Sequence, residues 1–178
     1  IRLTAPKERA TGASPLGWRI DAHGVLRVDR QPGSSAKAIV VDLSLEWSTY
    51  LGGTLGGGGE FSNALALDGS NRPIVVGETY SPDFPVTSGA FDETWNGGQG
   101  GEFATDLFVT CLASDGASLE FSTFFGGSNN DWGYAVSVAG NGDFLVAGDA
   151  FSADFPTTPR AWDTTLNSSD GFVSRLLP

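Results

Sequence analysis

Leu45 to Thr54 reads LEWSTYLGGT, and Leu119 to Ser128 reads LEFSTFFGGS, 74 residues later. Leucine, glutamate, an aromatic, Ser-Thr, a second aromatic, an apolar residue and Gly-Gly recur in the same order. A segment repeated at such a spacing is the signature of a repeat architecture, and it sets the frame in which the remaining residues are read. Trp47, Thr49 and Leu51 alternate with Ser48 and Tyr50, as in a strand with two unlike faces, and Gly52-Gly53 ends the run. Gly126-Gly127 ends the second copy in the same way.

Moving outward, the agreement continues. Asn63–Leu67 (NALAL) matches Tyr134–Val138 (YAVSV), and Pro73–Gly77 (PIVVG) matches Phe144–Gly148 (FLVAG), both at an offset of 71. Asn141-Gly142 is a tight-hairpin signal, since both residue types tolerate positive φ. Tyr80-Ser-Pro-Asp83-Phe84-Pro85-Val-Thr matches Phe151-Ser-Ala-Asp154-Phe155-Pro156-Thr-Thr at the same offset. The prolines forbid regular pairing there, so this stretch reads as an irregular loop pinned by Phe84 and Phe155, which are expected to fill a gap between neighbouring sheets. Ala90-Phe-Asp92 matches Ala161-Trp-Asp163, and Asp106–Leu112 (DLFVTCL) matches Asp170–Leu176 (DGFVSRL) at an offset of 64, because the first copy carries a Gly-rich insert. Each copy thus reads as four short strands with tight turns and no helical period.

Four-stranded antiparallel units repeated along a chain predict β-propeller blades. The fold class expected is therefore all-β: a short β-rich segment and linker at 1–44, a first repeat at 45–118 and a second, incomplete repeat at 119–178. The four ordered motifs resemble the bacterial SBBP-type β-propeller repeat family, with WSTYLGG and FSTFFGG, AGNGDFLVAG, SPDFPVTSGAF and SADFPTTPRAW, and DLFVTCL and DGFVSRL in the family's places. The resemblance covers residues 45–178 and implies a repeat module of a secreted or surface-attached bacterial protein. Pro73 and the Gly-rich inserts depart from it. Two blades do not close a ring, which takes about four or more. The chain starts without Met and stops where the second copy should turn into its own LEWSTY-like strand. Either it is an excerpt whose further blades lie in cis, or several copies assemble in trans.

Composition narrows the function. Net charge is −11, but residues 1–44 hold seven Lys/Arg against four Asp/Glu, whereas residues 45–178 hold three against seventeen. So acidic a surface disfavours nucleic acid, whose phosphates it would repel. No window approaches the ~20 apolar residues of a membrane helix, so no membrane insertion is expected. Cys111 is the single cysteine, which excludes an intrachain disulfide, and its apolar neighbours predict a buried thiol. His23, the single histidine, falls in a turn of the hairpin expected over Trp18–Asp29; a strand is also expected over Ala38–Leu45.

Seventeen acids invite a glycosidase reading, and the repeat answers it. Glu46/Glu120, Glu60/Asp131, Glu78/Asp149, Asp83/Asp154, Asp92/Asp163 and Asp106/Asp170 occupy matched positions. A catalytic residue acts at one place, whereas one present in every repeat is expected to cap a turn or bind backbone N–H groups. The unmatched Asp68, Glu93, Glu102, Asp115 and Asp143 mostly fall in turn signals. No catalytic residue and no organic cofactor are expected. Ser128–Asp131 and Asp68–Asn71 offer hard oxygen ligands that could serve Ca²⁺ in a calcium-stabilised adhesion module, without the spacing of a calcium loop. Trp95, Trp132 and Trp162 are candidate contacts for a protein or glycan partner. Trp95 is opposed by Leu166 and so escapes the repeat, which makes it the best candidate for an exposed ring. The expected function is a non-catalytic scaffold; the alternative is part of a carbohydrate-active enzyme whose catalytic residues lie elsewhere.

Overall fold

Residues 17–20 and 26–29, for their backbone, and residues 45–54, 58–97 and 104–177 are described in the computed structural model. The chain divides into two units, Ile1–Leu45 and Glu46–Pro178. In the first, β1 (Gly17–Ile20) pairs antiparallel with β2 (Leu26–Asp29), Ile20 opposite Leu26. This is the hairpin its alternating apolar residues predict. His23 and the strand expected over residues 38–44 lie outside the described residues.

In the second unit, β3 (Glu60–Leu67), β4 (Pro73–Thr79), β5 (Asp106–Leu112) and β6 (Leu119–Phe124) form one antiparallel sheet in that order. β7 (Asp131–Val138), β8 (Phe144–Ala150) and β9 (Asp170–Leu176) form a second, also in chain order. The described residues contain no helix. Pro73 fits because it is the first residue of β4, where a missing N–H is tolerated.

Two expectations need correction. Residues 45–53 form no strand, although the sequence of 45–51 is that of β6. The two sheets hold four strands and three, not four each. The LEFSTF strand pairs with β5, so the first sheet takes its last strand from the second copy, which leaves three strands in the second sheet. Residues 45–50, the other copy of this strand, pair with no strand among the described residues.

Side-chain alternation divides the apolar residues of the first sheet between its faces. Ile74 and Val76 of β4 and Leu107, Val109 and Cys111 of β5 face the second sheet, meeting Phe144 and Val146 in one buried cluster with Val136, Phe155 and Phe172 packed against it. Val75, Phe108, Leu112 and Phe124 face the other way, where Phe84, Leu51, Val86 and Trp95 cover them. With both faces covered, β5 is buried along its whole length. β9, covered on one face, alternates between half-buried and exposed.

The first strands of the two sheets are bulged at the same place, between Ser62 and Ala64 in β3 and between Gly133 and Ala135 in β7. The bulge presses a carbonyl against the neighbouring strand. A Cβ at Gly77 would collide with the Phe61 carbonyl oxygen, and one at Gly148 with that of Trp132. These matched glycines are there for space. Gly148→Ala is therefore expected to lower stability by about 1–3 kcal/mol in denaturant titrations, while Gly140→Ala, whose Cβ would meet nothing within 4 Å, should leave the midpoint nearly unchanged.

Candidate functional site

The repeated acids converge on the Gly-Gly crossings. After β6 the chain runs through Phe125-Gly126-Gly127-Ser128 to β7, and Asp131, buried at the start of β7, reaches back over it. Its carboxylate accepts hydrogen bonds from the Gly127 N–H at 2.8 Å, the Phe151 N–H at 2.9 Å and the Ser152 hydroxyl at 2.7 Å. Asp154, from the Pro-containing loop, accepts from the Ser128 N–H at 2.8 Å and the Ser128 hydroxyl at 3.0 Å. These bonds, that from the Ser128 N–H first, hold the Asp154 carboxyl below its usual range.

The first copy builds the same clasp. Glu60 accepts from the Gly53 N–H at 3.1 Å and the Ser81 hydroxyl at 2.5 Å. Asp83 accepts from the Thr54 N–H at 3.0 Å and the Thr54 hydroxyl at 2.5 Å. Thus the Gly-Gly half of LEWSTYLGG is placed like its copy, although its strand half is not. Space again requires the glycines. A Cβ on Gly53 would lie 2.5 Å from an Asp83 oxygen and 2.6 Å from Ser81 Cβ; on Gly127 it would lie 2.5 Å from both Asp154 and Ser152.

Two other matched pairs of acids, Asp92/Asp163 and Asp106/Asp170, repeat their bonds too, whereas among the described residues Glu78 and Glu120 make bonds that their matches do not. The Thr94 and Thr165 N–H groups each donate at 2.8 Å, to Asp92 and Asp163 respectively. Those of Asn96 and Asn167 each donate at 2.9 Å, to Asp106 and Asp170. Asn63 donates to Glu78 at 3.2 Å, and Arg72 to Glu120 at 3.4 Å. The unmatched acids sit in turns: Asp68 with Ser70 and Arg72, Glu93 with Gly89, Asp115 with Ala117, and Asp143 with Asn141 and Arg175. Glu102 lies outside the described residues. The serines Ser81 and Ser152, which lock each clasp, escaped the sequence reading although they recur at the same offset. A Glu in one copy and an Asp in the other obscured their partnership.

Asp106 differs from its twin. It is wholly buried, and its Oδ1 has no hydrogen-bond partner among the described residues. Burial pushes its carboxyl up to about 7, against the Asn96 N–H bond and with help from the negative charges of Asp131 and Asp92. Asp170, at the outer end of the second sheet, is exposed.

The oxygens considered for calcium are directed at protein N–H groups. Asp68 Oδ1 accepts from the Ser70 and Arg72 N–H groups, both at 2.8 Å, and Asn130 Oδ1 accepts from the Thr105 N–H at 3.0 Å. Among the described residues no group of three or more His, Cys, Asp or Glu side chains is placed to hold a metal ion. Cys111 is buried and unpaired, and burial raises its thiol above the ordinary value.

The aromatics fall into two sets. Phe61 meets Tyr80 edge-on at 6.2 Å, and the equivalent Trp132 meets Phe151 edge-on at 4.8 Å while donating its indole N–H to Thr105. Phe84 stacks on Phe108 at 4.4 Å, as Phe155 lies on Phe172 at 4.6 Å. Trp95 is half-buried against the outer cluster of the first sheet, its indole nitrogen enclosed without a partner. The exposed ring expected there is found instead at Trp162. A groove of about 470 Å³, lined by Trp47, Tyr50, Leu51, Leu65, Pro73 and Leu112, lies on the outer face of the first sheet. No protein-family model, curated protein or solved structure matches the chain.

The clasp predicts that Asp131→Ala, which strands several buried donors, lowers stability by about 2–4 kcal/mol in urea titrations. Asp106 predicts a pH effect. Its folded carboxyl holds a proton more tightly than the unfolded one, so its contribution declines as pH rises from about 4 to about 7. Asp106→Asn removes that titration, and the loss of stability between pH 5 and pH 8 should be smaller in the variant than in the parent chain.

Proposed function

We propose that this chain is a non-catalytic β-propeller repeat module of the SBBP type, each sheet being one blade, in a secreted or cell-surface protein where it supports protein or glycan contacts. The observation that carries this reading is the recurrence of the carboxylate bonds. In four of the six matched pairs, Glu60/Asp131, Asp83/Asp154, Asp92/Asp163 and Asp106/Asp170, the acids are engaged in both copies with backbone N–H groups of the Gly-Gly crossings and the turns. A carboxylate engaged with backbone N–H groups is poorly placed to exchange protons with a substrate. Chain-ordered antiparallel sheets stacked face to face, with the last strand of one leading into the first strand of the next, support the blade reading. The acidic surface and the four motifs support the setting.

A glycan array and a broad glycosidase screen on the chain test the proposal. Ligand capture without turnover, or no glycan response beside capture of a protein partner, is the expected pattern. Turnover abolished by a conservative change of one acid, such as Asp154→Asn, with the fold intact by circular dichroism, would overturn it.

A further inference from the structure

Besides their apolar faces, the two larger sheets meet at a short polar seam. Thr105, just before β5, is buried and bonded twice to the second sheet. Its N–H donates to Asn130 Oδ1 at 3.0 Å, and its hydroxyl accepts from the Trp132 indole N–H at 3.0 Å. Next to Thr105 in the chain stands Asp106, and between Asn130 and Trp132 stands Asp131, both wholly buried. These two carboxyl groups come to the same spot. A Cβ on Gly126 would lie 2.6 Å from Asp106 Oδ1 and 2.8 Å from Asp131 Oδ2. The seam thus joins two attractive bonds to a pair of buried acids.

The Asp131 oxygen is supplied with donors, the Gly127 N–H and the Ser152 hydroxyl. Asp106 Oδ2 accepts the Asn96 N–H, but Oδ1 has no donor among the described residues. An ionised carboxylate in that position gives up its water without replacement. The elements packed around it offer no compensating charge. β4 sets Thr79 opposite it, the crossing sets Gly126 against it, and the loop before β5 adds the negative charge of Asp92 to that of Asp131. Arg72 and Arg175 are bonded to Asp68 and Asp143, at the ends of their sheets away from the seam.

We propose that this seam is a proton-operated latch: Asp106 holds a proton while Thr105 joins the two sheets, and parting of the seam releases that proton to water. The proton removes one of three negative charges and makes Oδ1 a donor, where an ionised oxygen would lack one. Parting breaks the two Thr105 bonds and leaves a hydrated carboxylate, while the strand ladders on either side stay paired, so the opening is local.

The sign follows from linkage. The closed seam holds the Asp106 carboxyl at about 7, whereas a hydrated aspartate titrates at about 4. Below about pH 4 both forms are protonated and pH has no leverage. Between about 4 and about 7 only the closed form keeps its proton, so opening gains about tenfold per pH unit, about a thousandfold in all. Above about 7 the ratio is constant. The seam is therefore tightest in acid and loosest at neutral pH and above. Global unfolding shares this proton, but the latch adds that the seam opens while the sheets remain folded.

Amide exchange followed by NMR on the whole chain, from about pH 4.5 to about pH 8.5, tests the latch. The Thr105 amide and the Trp132 indole N–H should exchange through an opening smaller than global unfolding, judged against the Val109 amide in the middle of β5. Their protection factors, corrected for intrinsic exchange, should fall about tenfold per pH unit and level off above about pH 7. Asp106→Asn should flatten that dependence. In the unaltered chain, the Asp106 carboxyl carbon should titrate near 7, a readout that requires no variant. Equal protection of Thr105 and Val109 at every pH, a carboxyl midpoint near that of an exposed aspartate, or a pH dependence that survives in Asp106→Asn overturns the latch. So does recovery of Thr105 protection above pH 7 on adding calcium chloride, which would assign the space between the two acids to a cation.

Discussion

Both sheets depend on a carboxylate lying over a pair of glycines. Where the chain leaves one sheet for the next, backbone N–H groups lose their ladder partners, and burying them unpaired would cost about 1–3 kcal/mol each. Glu60 and Asp131 supply acceptors from the first residue of the incoming strand, while Asp83 and Asp154 supply them from the loop that follows the next strand, β4 or β8. Hydrogen bonds to ionised groups contribute about 1.5–3 kcal/mol, enough to fix the crossing where no regular pairing can. The close approach admits no Cβ, which is why Gly-Gly recurs. The crossing in turn sets where β3 and β7 begin, and hence the bulges and the stacking of one sheet on the other.

Unequal burial of equivalent residues follows from that stacking. The middle strands of the first sheet have a covered face on each side and are buried throughout, whereas the second sheet shows one face to solvent. The pair Asp106 and Asp170 carries this difference into electrostatics. Both accept the N–H of an asparagine at the same distance, but Asp106 lies beneath the next sheet with the charge of Asp131 nearby. Neighbours, more than local sequence, decide the chemistry of a repeated residue here.

Much of this was legible in the sequence, for identifiable reasons. Alternation and turn residues located the strands that became β3 to β9, with β5, β6 and β9 nearly to the residue. Repetition pointed to eight acids that bind backbone in both copies, but Glu46/Glu120 and Glu78/Asp149, matched just as well, make no such repeated bond among the described residues. The first three residues of β3 and β7 were missed, since the bulges after Ser62 and Gly133 break the alternation on which strand reading relies. The strand pattern at Trp47–Leu51 was read correctly as a pattern, yet no strand forms. A period of two specifies a pleated segment, but the ladder needs a neighbour the local sequence does not encode. Trp95 was misjudged because its place in an insert hid its packing against the cluster of Val75, Phe84, Phe108, Leu112 and Phe124, which is gathered from several strands and a loop.

The one-strand offset between repeat and sheet also bears on how the chain folds as it is made. A unit that contained all its own strands could fold as soon as its last residue emerged. Here the first sheet stays open at β5 until Phe124, well inside the second repeat, has been synthesised. The first repeat is thus finished by its successor, and until then the nascent chain ends in a sheet with one bare edge. Unpaired edges of this kind are where non-native association starts. For an array built this way, the interval between successive strands of the LEFSTF type is the interval of exposure, and longer inserts, such as the Gly-rich one after Trp95, extend it.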